Sequence, residues 1–195
     1  MGSVSDRHVR AGPRLRGRWL RSRGWALSLV LGLAVLIATS SNAATEFKRF
    51  DQRGIAFEYP SGWFVTTRPL SNGTNPVYRF AVSTVRVRRT NQDIGPCLPG
   101  IARQLPRGAV LAFLREAVGA DRARSLPRMR PPPRSFRLPT RADSYLCGFA
   151  GRTRWVPFKQ AGRALYLGIY VGPQAPASTK RALKRLLDRM RIRPG

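Results

Sequence analysis

Cys97 and Cys147 are the only cysteines in this chain, and His8 is its only histidine. A catalytic thiol needs a neighbouring base to form its thiolate. His8 lies in an N-terminal segment that is expected to be removed, so no such base remains. Outside the reducing cytosol an even pair of cysteines reads as a disulfide. Two free buried thiols are the alternative. Linking the pair would close a loop of about 50 residues, worth roughly 4 kcal/mol by chain entropy.

The carboxylates offer little more. Glu46, Asp51, Glu58, Asp93, Glu116, Asp121, Asp143 and Asp188 are scattered along the chain. Several sit among arginines that would keep them ionised rather than poised for proton transfer. No G-x-S-x-G and no glycine-rich phosphate loop after a strand is present. Two cysteines without histidine cannot build a zinc site, and no acidic cluster suits calcium. Neither catalysis, nor a metal, nor a cofactor is therefore expected. An unrecognised hydrolase is the remaining catalytic reading.

Positive charge is what the chain has in excess. Lysine plus arginine number 36 against 9 acids, a formal net charge of +27. The first 43 residues take away seven arginines and one aspartate, which leaves about +21 on the rest. Arg122, Arg124, Arg128, Arg130, Arg134, Arg137 and Arg141 face a single acid, Asp121, in the stretch 117–141. Pro127, Pro131-Pro132-Pro133 and Pro139 favour an extended, polyproline-like path there. This stretch is a solvated basic loop or an anion-binding arm, with Arg122, Arg124, Arg128, Arg130, Arg134 and Arg137 as its contacts. Arginine-rich usage also follows from GC-rich coding, so the guanidinium itself is weak support for a selected role.

The N-terminus reads as an address. Seven arginines precede the uninterrupted apolar run Trp25–Thr39, which suits a signal-peptide core and is short for a spanning helix. Ser41-Asn42-Ala43 supplies small residues for cleavage before Ala44. Residues 1–43 are thus expected to be a signal peptide, with 44–195 one exported domain. An uncleaved anchor with the domain outside is the alternative.

Within the domain, Ile55, Phe57 and Tyr59 alternate with smaller or polar residues, as in a strand with one apolar face. Pro60-Ser61-Gly62 is read as the turn of a hairpin, with Trp63–Thr67 as its second strand. Val77–Arg89 reads as a third strand, with Tyr78, Phe80 and Val82 on one face. A short helical turn is expected at Ile101–Leu105 and a buried strand at Ala109–Leu114, bounded by charged Arg115-Glu116. Strands follow at Tyr145–Phe149, Arg152–Phe158 and Ala164–Val171, Pro157 marking an edge. Leu183, Leu186, Leu187 and Met190 then fall on one helical stripe, with Ser178 as N-cap.

Tyr59-Pro60-Ser61-Gly62-Trp63, after a glycine and an alternating apolar strand, resembles the opening hairpin of PsbP-like domains. The resemblance implies an α+β fold: a curved antiparallel β-sheet packed against one or two helices, closing with a strand and then a helix. Leu165–Val171 and Ser178–Met190 fit that closing pair, whereas 91–141 has no counterpart. Metal-associated behaviour in that group does not carry over, because the ligands are missing.

The expected function is a non-catalytic, exported binding module, monomeric, for an anionic lipid, a wall polymer or an acidic protein. A cell-envelope assembly factor with one protein partner is the competing class. Specific nucleic-acid recognition is not expected, since Trp155, Tyr78 and Tyr166 suit a core better than a stacking platform.

Overall fold

Arg53 and Gly54 adopt positive φ, 53° and 74°, the pair of dihedrals that a two-residue hairpin turn requires. They join β1 (Phe47–Gln52) to β2 (Ile55–Pro60), antiparallel from Phe47↔Pro60 to Gln52↔Ile55. This is a computed structural model describing residues 46–95, 97–142, 146–149 and 151–195. The signal peptide read over 1–43 lies outside those residues.

The opening hairpin is therefore not the expected one. Pro60-Ser61-Gly62 does make a tight turn, with Trp63 N–H donating to the Pro60 carbonyl at 2.9 Å. Its two flanks, however, enter different sheets. β3 (Phe64–Thr66) pairs with β4 (Val77–Ser83), while β2 is flanked by β1 and by a two-residue β8 (Arg191–Ile192). Phe50 of β1 explains the preference: its ring stacks on Phe57 at 4.8 Å, giving β2 an aromatic cross-strand partner.

Every pairing is antiparallel. The larger sheet runs β3-β4-β5-β7-β6, with β5 Val110–Ala117, β6 Arg152–Gln160 and β7 Arg163–Val171. β6 is an edge strand, where Pro157 is tolerated because no neighbour needs its missing N–H. All residues of β5 are buried, because both faces of the sheet are covered. Val110, Ala112 and Leu114 point to a main core with Leu165, Leu167 and Ile169, closed by α3 (Ala177–Arg189) and the β1–β2 hairpin. Leu111 and Phe113 point to a second core with Leu98, Ile101, Leu146 and Tyr170, closed by the short helix α1 (Pro99–Gln104).

Two strand boundaries and the facing of one strand differ from the sequence reading, each for a local reason. β5 continues through Arg115, Glu116 and Ala117, because partners for both charges lie inside the fold. β4 stops at Ser83, where Thr84 binds back to Val110 and the chain turns across the second core. A bulge between Tyr78 and Phe80 also separates residues expected on one face: Phe80 and Val82 enter the main core, Tyr78 the second.

Leu146–Phe149 forms a turn instead of a strand, and Tyr145 lies outside the described residues. Cys97 and Cys147 form the expected disulfide, with Cα atoms 4.8 Å apart. The chain comes so close to α1 here that a Cβ on Gly148 (φ +94°) would stand 2.8 Å from Pro99 Cα. Asp93, fully buried, tightens the same region by accepting from the Gly100 and Ile101 amides at 2.8 and 3.1 Å.

α3 buries Leu183, Leu186 and Leu187, as its stripe required. The expected Ser178 cap is not formed. The helix starts at Ala177 behind Pro176, whose fixed φ suits a helix entry and whose carbonyl accepts from Lys180 at 3.0 Å. Among the described residues no helix is long and apolar enough to cross a membrane.

Candidate anion-binding grooves

The stretch 117–141 is only half extended. α2 (Gly119–Ser125) and a 3-10 turn at Leu126–Arg128 come first, where alanine and arginine favour helix and no proline intervenes until Pro127. From Met129 the chain runs beside the edge strand β6. Lys159 N–H donates to the Arg130 carbonyl at 2.8 Å, and Thr153 N–H to the Arg141 carbonyl at 3.0 Å. Phe136 is the anchor: it is buried in the main core, edge-on to Phe158 at 5.9 Å. Its N–H donates to Asp188 on α3 at 2.7 Å. The segment is a docked strap and not a free arm.

Arg122, Arg124, Arg128, Arg130, Arg134 and Arg137 are all exposed, but the strap does not bring them to one place. Arg122 and Arg124 ride on α2, where Arg124 pairs with Asp121. Arg134 and Arg137 line a groove of about 680 Å³ together with Arg154 of β6 and Lys184 of α3. The sequence reading did not include Lys184 among the anion contacts. It belongs to this groove because Ser135 and Asp188 hold its ammonium at 2.5 Å each. Partial burial raises the Asp188 carboxyl, but Lys184, the Phe136 N–H and the Ser135 hydroxyl outweigh that and hold it below the ordinary carboxylate range.

A second, larger groove of about 860 Å³ opens beside β3. Its floor is Phe64, Thr66, Ala81 and Ser83 on one face of the β3–β4 pair, with Leu70 and Val87 at its sides. Arg68, Arg86, Arg88 and Arg89 line it as well, all exposed. The Arg88 backbone is fixed at both polar groups by the Gln104 side chain, at 2.8 and 2.7 Å. Arg86 lies over the Phe64 ring, 5.4 Å from its centroid. Sequence reasoning included Arg86-Val87-Arg88-Arg89 in the third strand, whereas β4 ends at Ser83. Only the β3–β4 pairing brings Arg68 to those residues, and that pairing was hidden by the misplaced hairpin.

Charges in the interior are committed to the fold. Glu116 takes Arg163 at 2.5 Å and Arg79 at 2.6 Å. Burial raises the Glu116 carboxyl, but the hydrogen bond and charge of Arg163, followed by Arg79, outweigh it and hold it below its usual value. Arg115 is equally buried, over the Tyr78 ring at 4.9 Å and donating from Nε to the Pro76 carbonyl at 3.1 Å. Tyr78 is buried and Trp155 stacks on Tyr166 at 5.7 Å, so these aromatics serve packing first. Among the described residues, His, Cys, Asp and Glu nowhere gather in a group of three or more that could hold a metal.

No protein-family model, curated protein or solved structure matches this chain.

Proposed function

We propose that this is an exported, non-catalytic binding module for anionic partners, PsbP-like in its opening Tyr59–Trp63 stretch and carried out of the cytoplasm by residues 1–43. One imbalance carries the reading. Asp51, Asp93, Glu116, Asp121 and Asp188 are each engaged inside the domain. Among the described residues, Arg68, Arg86, Arg88, Arg89, Arg134 and Arg137 line open grooves and meet no carboxylate within ion-pair distance. Cations left uncompensated in concave sites attract polyanions by releasing their counterions. The disulfide supports an oxidising location.

The test is salt-dependent binding of purified protein to heparin and to phosphatidylglycerol vesicles. Affinity should fall steeply as salt rises. Salt-independent binding, or none at low salt, would remove the reading. Intact-mass analysis from the native host should give a chain that begins at Ala44; retention of Trp25–Thr39 would mean an anchored form.

A further inference from the structure

The groove beside β3 differs from generic basic surface in three respects. Its floor presents an uncovered aromatic ring, with Phe64 exposed to 41 % where such rings are normally covered. Its arginine wall is preorganised, since Gln104 clamps the backbone of Arg88 and Arg86 rests on Phe64. It also borders a free sheet edge, because β3 pairs only with β4. Half of the backbone polar groups of such a strand face away from its partner and can accept another chain.

These features select among anionic ligands. A flat membrane would meet the arginines but leave the recessed floor uncovered. A sulfated or phosphorylated polymer would satisfy charge but desolvate Phe64 and Val87 without apolar contact in return. An extended acidic peptide meets all three demands at once. Its carboxylates answer Arg68, Arg86, Arg88 and Arg89, one apolar side chain covers Phe64, and its backbone continues the sheet from β3.

We infer that the β3 groove binds an acidic, extended protein segment bearing an apolar anchor, by strand addition to β3. This rests on the binding-module reading above and narrows it to a protein partner.

Fluorescence anisotropy with a labelled glutamate-rich peptide carrying a central phenylalanine tests it, against polyglutamate of equal length, heparin and phosphatidylglycerol vesicles. The anchored peptide should bind about tenfold more tightly than polyglutamate. N-methylation of alternate peptide amides should abolish that advantage, since strand addition needs them. Changing Arg86, Arg88 and Arg89 together to Gln should cost about tenfold in affinity. A charge-matched change of Arg181, Arg189 and Arg191, which line neither groove, should cost far less. Phe64→Ser should erase the preference for the anchored peptide over polyglutamate. Equal binding of all anions, or equal losses from the two triple variants, would overturn the inference and leave the general module standing. Vesicle or heparin binding without peptide binding would overturn it too. Binding of no anion at all would remove both readings.

Discussion

Arg163 on β7 donates to Glu116 on β5 at 2.5 Å, and both side chains are sealed from water. The same guanidinium reaches the Arg53 carbonyl at 3.0 Å and the Arg193 carbonyl at 3.3 Å. One buried cation thus fastens the central sheet to the first hairpin turn and to the C-terminal tail.

Glu116→Gln should therefore destabilise by about 3–5 kcal/mol, because it strands Arg163 without a countercharge in the interior. Urea denaturation at neutral pH measures this. The pH dependence has a definite sign. Glu116 and Asp188 are held below their unfolded values, so their contributions are complete above the ordinary carboxylate range. They are lost as pH falls through the depressed folded values. Stability should hold near pH 5 and decline in stronger acid, more shallowly in the Glu116→Gln variant.

Reduction of Cys97–Cys147 should cost roughly 4 kcal/mol, since it frees a loop whose ends are 50 residues apart in sequence. The loss should centre on α1 and the second core, and hydrogen exchange at Ile101 and Ala102 should rise before exchange in α3. Alkylation of the unreduced, denatured protein should find no free thiol.

Two phenylalanines on the basic surfaces should behave in opposite ways. Phe136→Ala removes the strap's anchor from the main core and should cost about 3–5 kcal/mol. Phe64→Ala, in the open groove, should shift stability by no more than about 0.5 kcal/mol. Thermal melts of the two variants separate the cases.

Arg134 and Lys184 share a groove, so their effects on heparin binding should not add. A double-mutant cycle with Arg134→Gln and Lys184→Gln should show a coupling of about 0.5 kcal/mol or more. The pair Arg122→Gln and Lys184→Gln, which shares no groove, should give additive losses.

What could be read from sequence follows how regular the burial is. Leu183, Leu186 and Leu187 form a plain helical stripe, and β7 is apolar almost throughout, so both were legible. β1 buries only Phe50 and left no alternation to find, which is why the first hairpin was placed one turn too late. Glu116 and Arg115 looked like a strand's end because charges are seldom buried, and only the folded sheet supplies Arg163, Arg79 and the Tyr78 ring. Exposure of the strap arginines was legible from composition. Their division between two regions was not, because Phe136 and Asp188 decide it across 52 positions of sequence.

The clasp between the two ends of the domain also governs when it can close. β2 has no second neighbour until Ile192 reaches Ile55, and Arg193 N–H then meets the Gly54 carbonyl at 2.8 Å. A chain emerging N-terminus first presents β1 and β2 long before the residues that finish their sheet. Contacts so distant in sequence form late and slowly. The small sheet therefore stays two-stranded until residues 191–193 arrive, and the first hairpin keeps an open edge for most of the time the chain is being made.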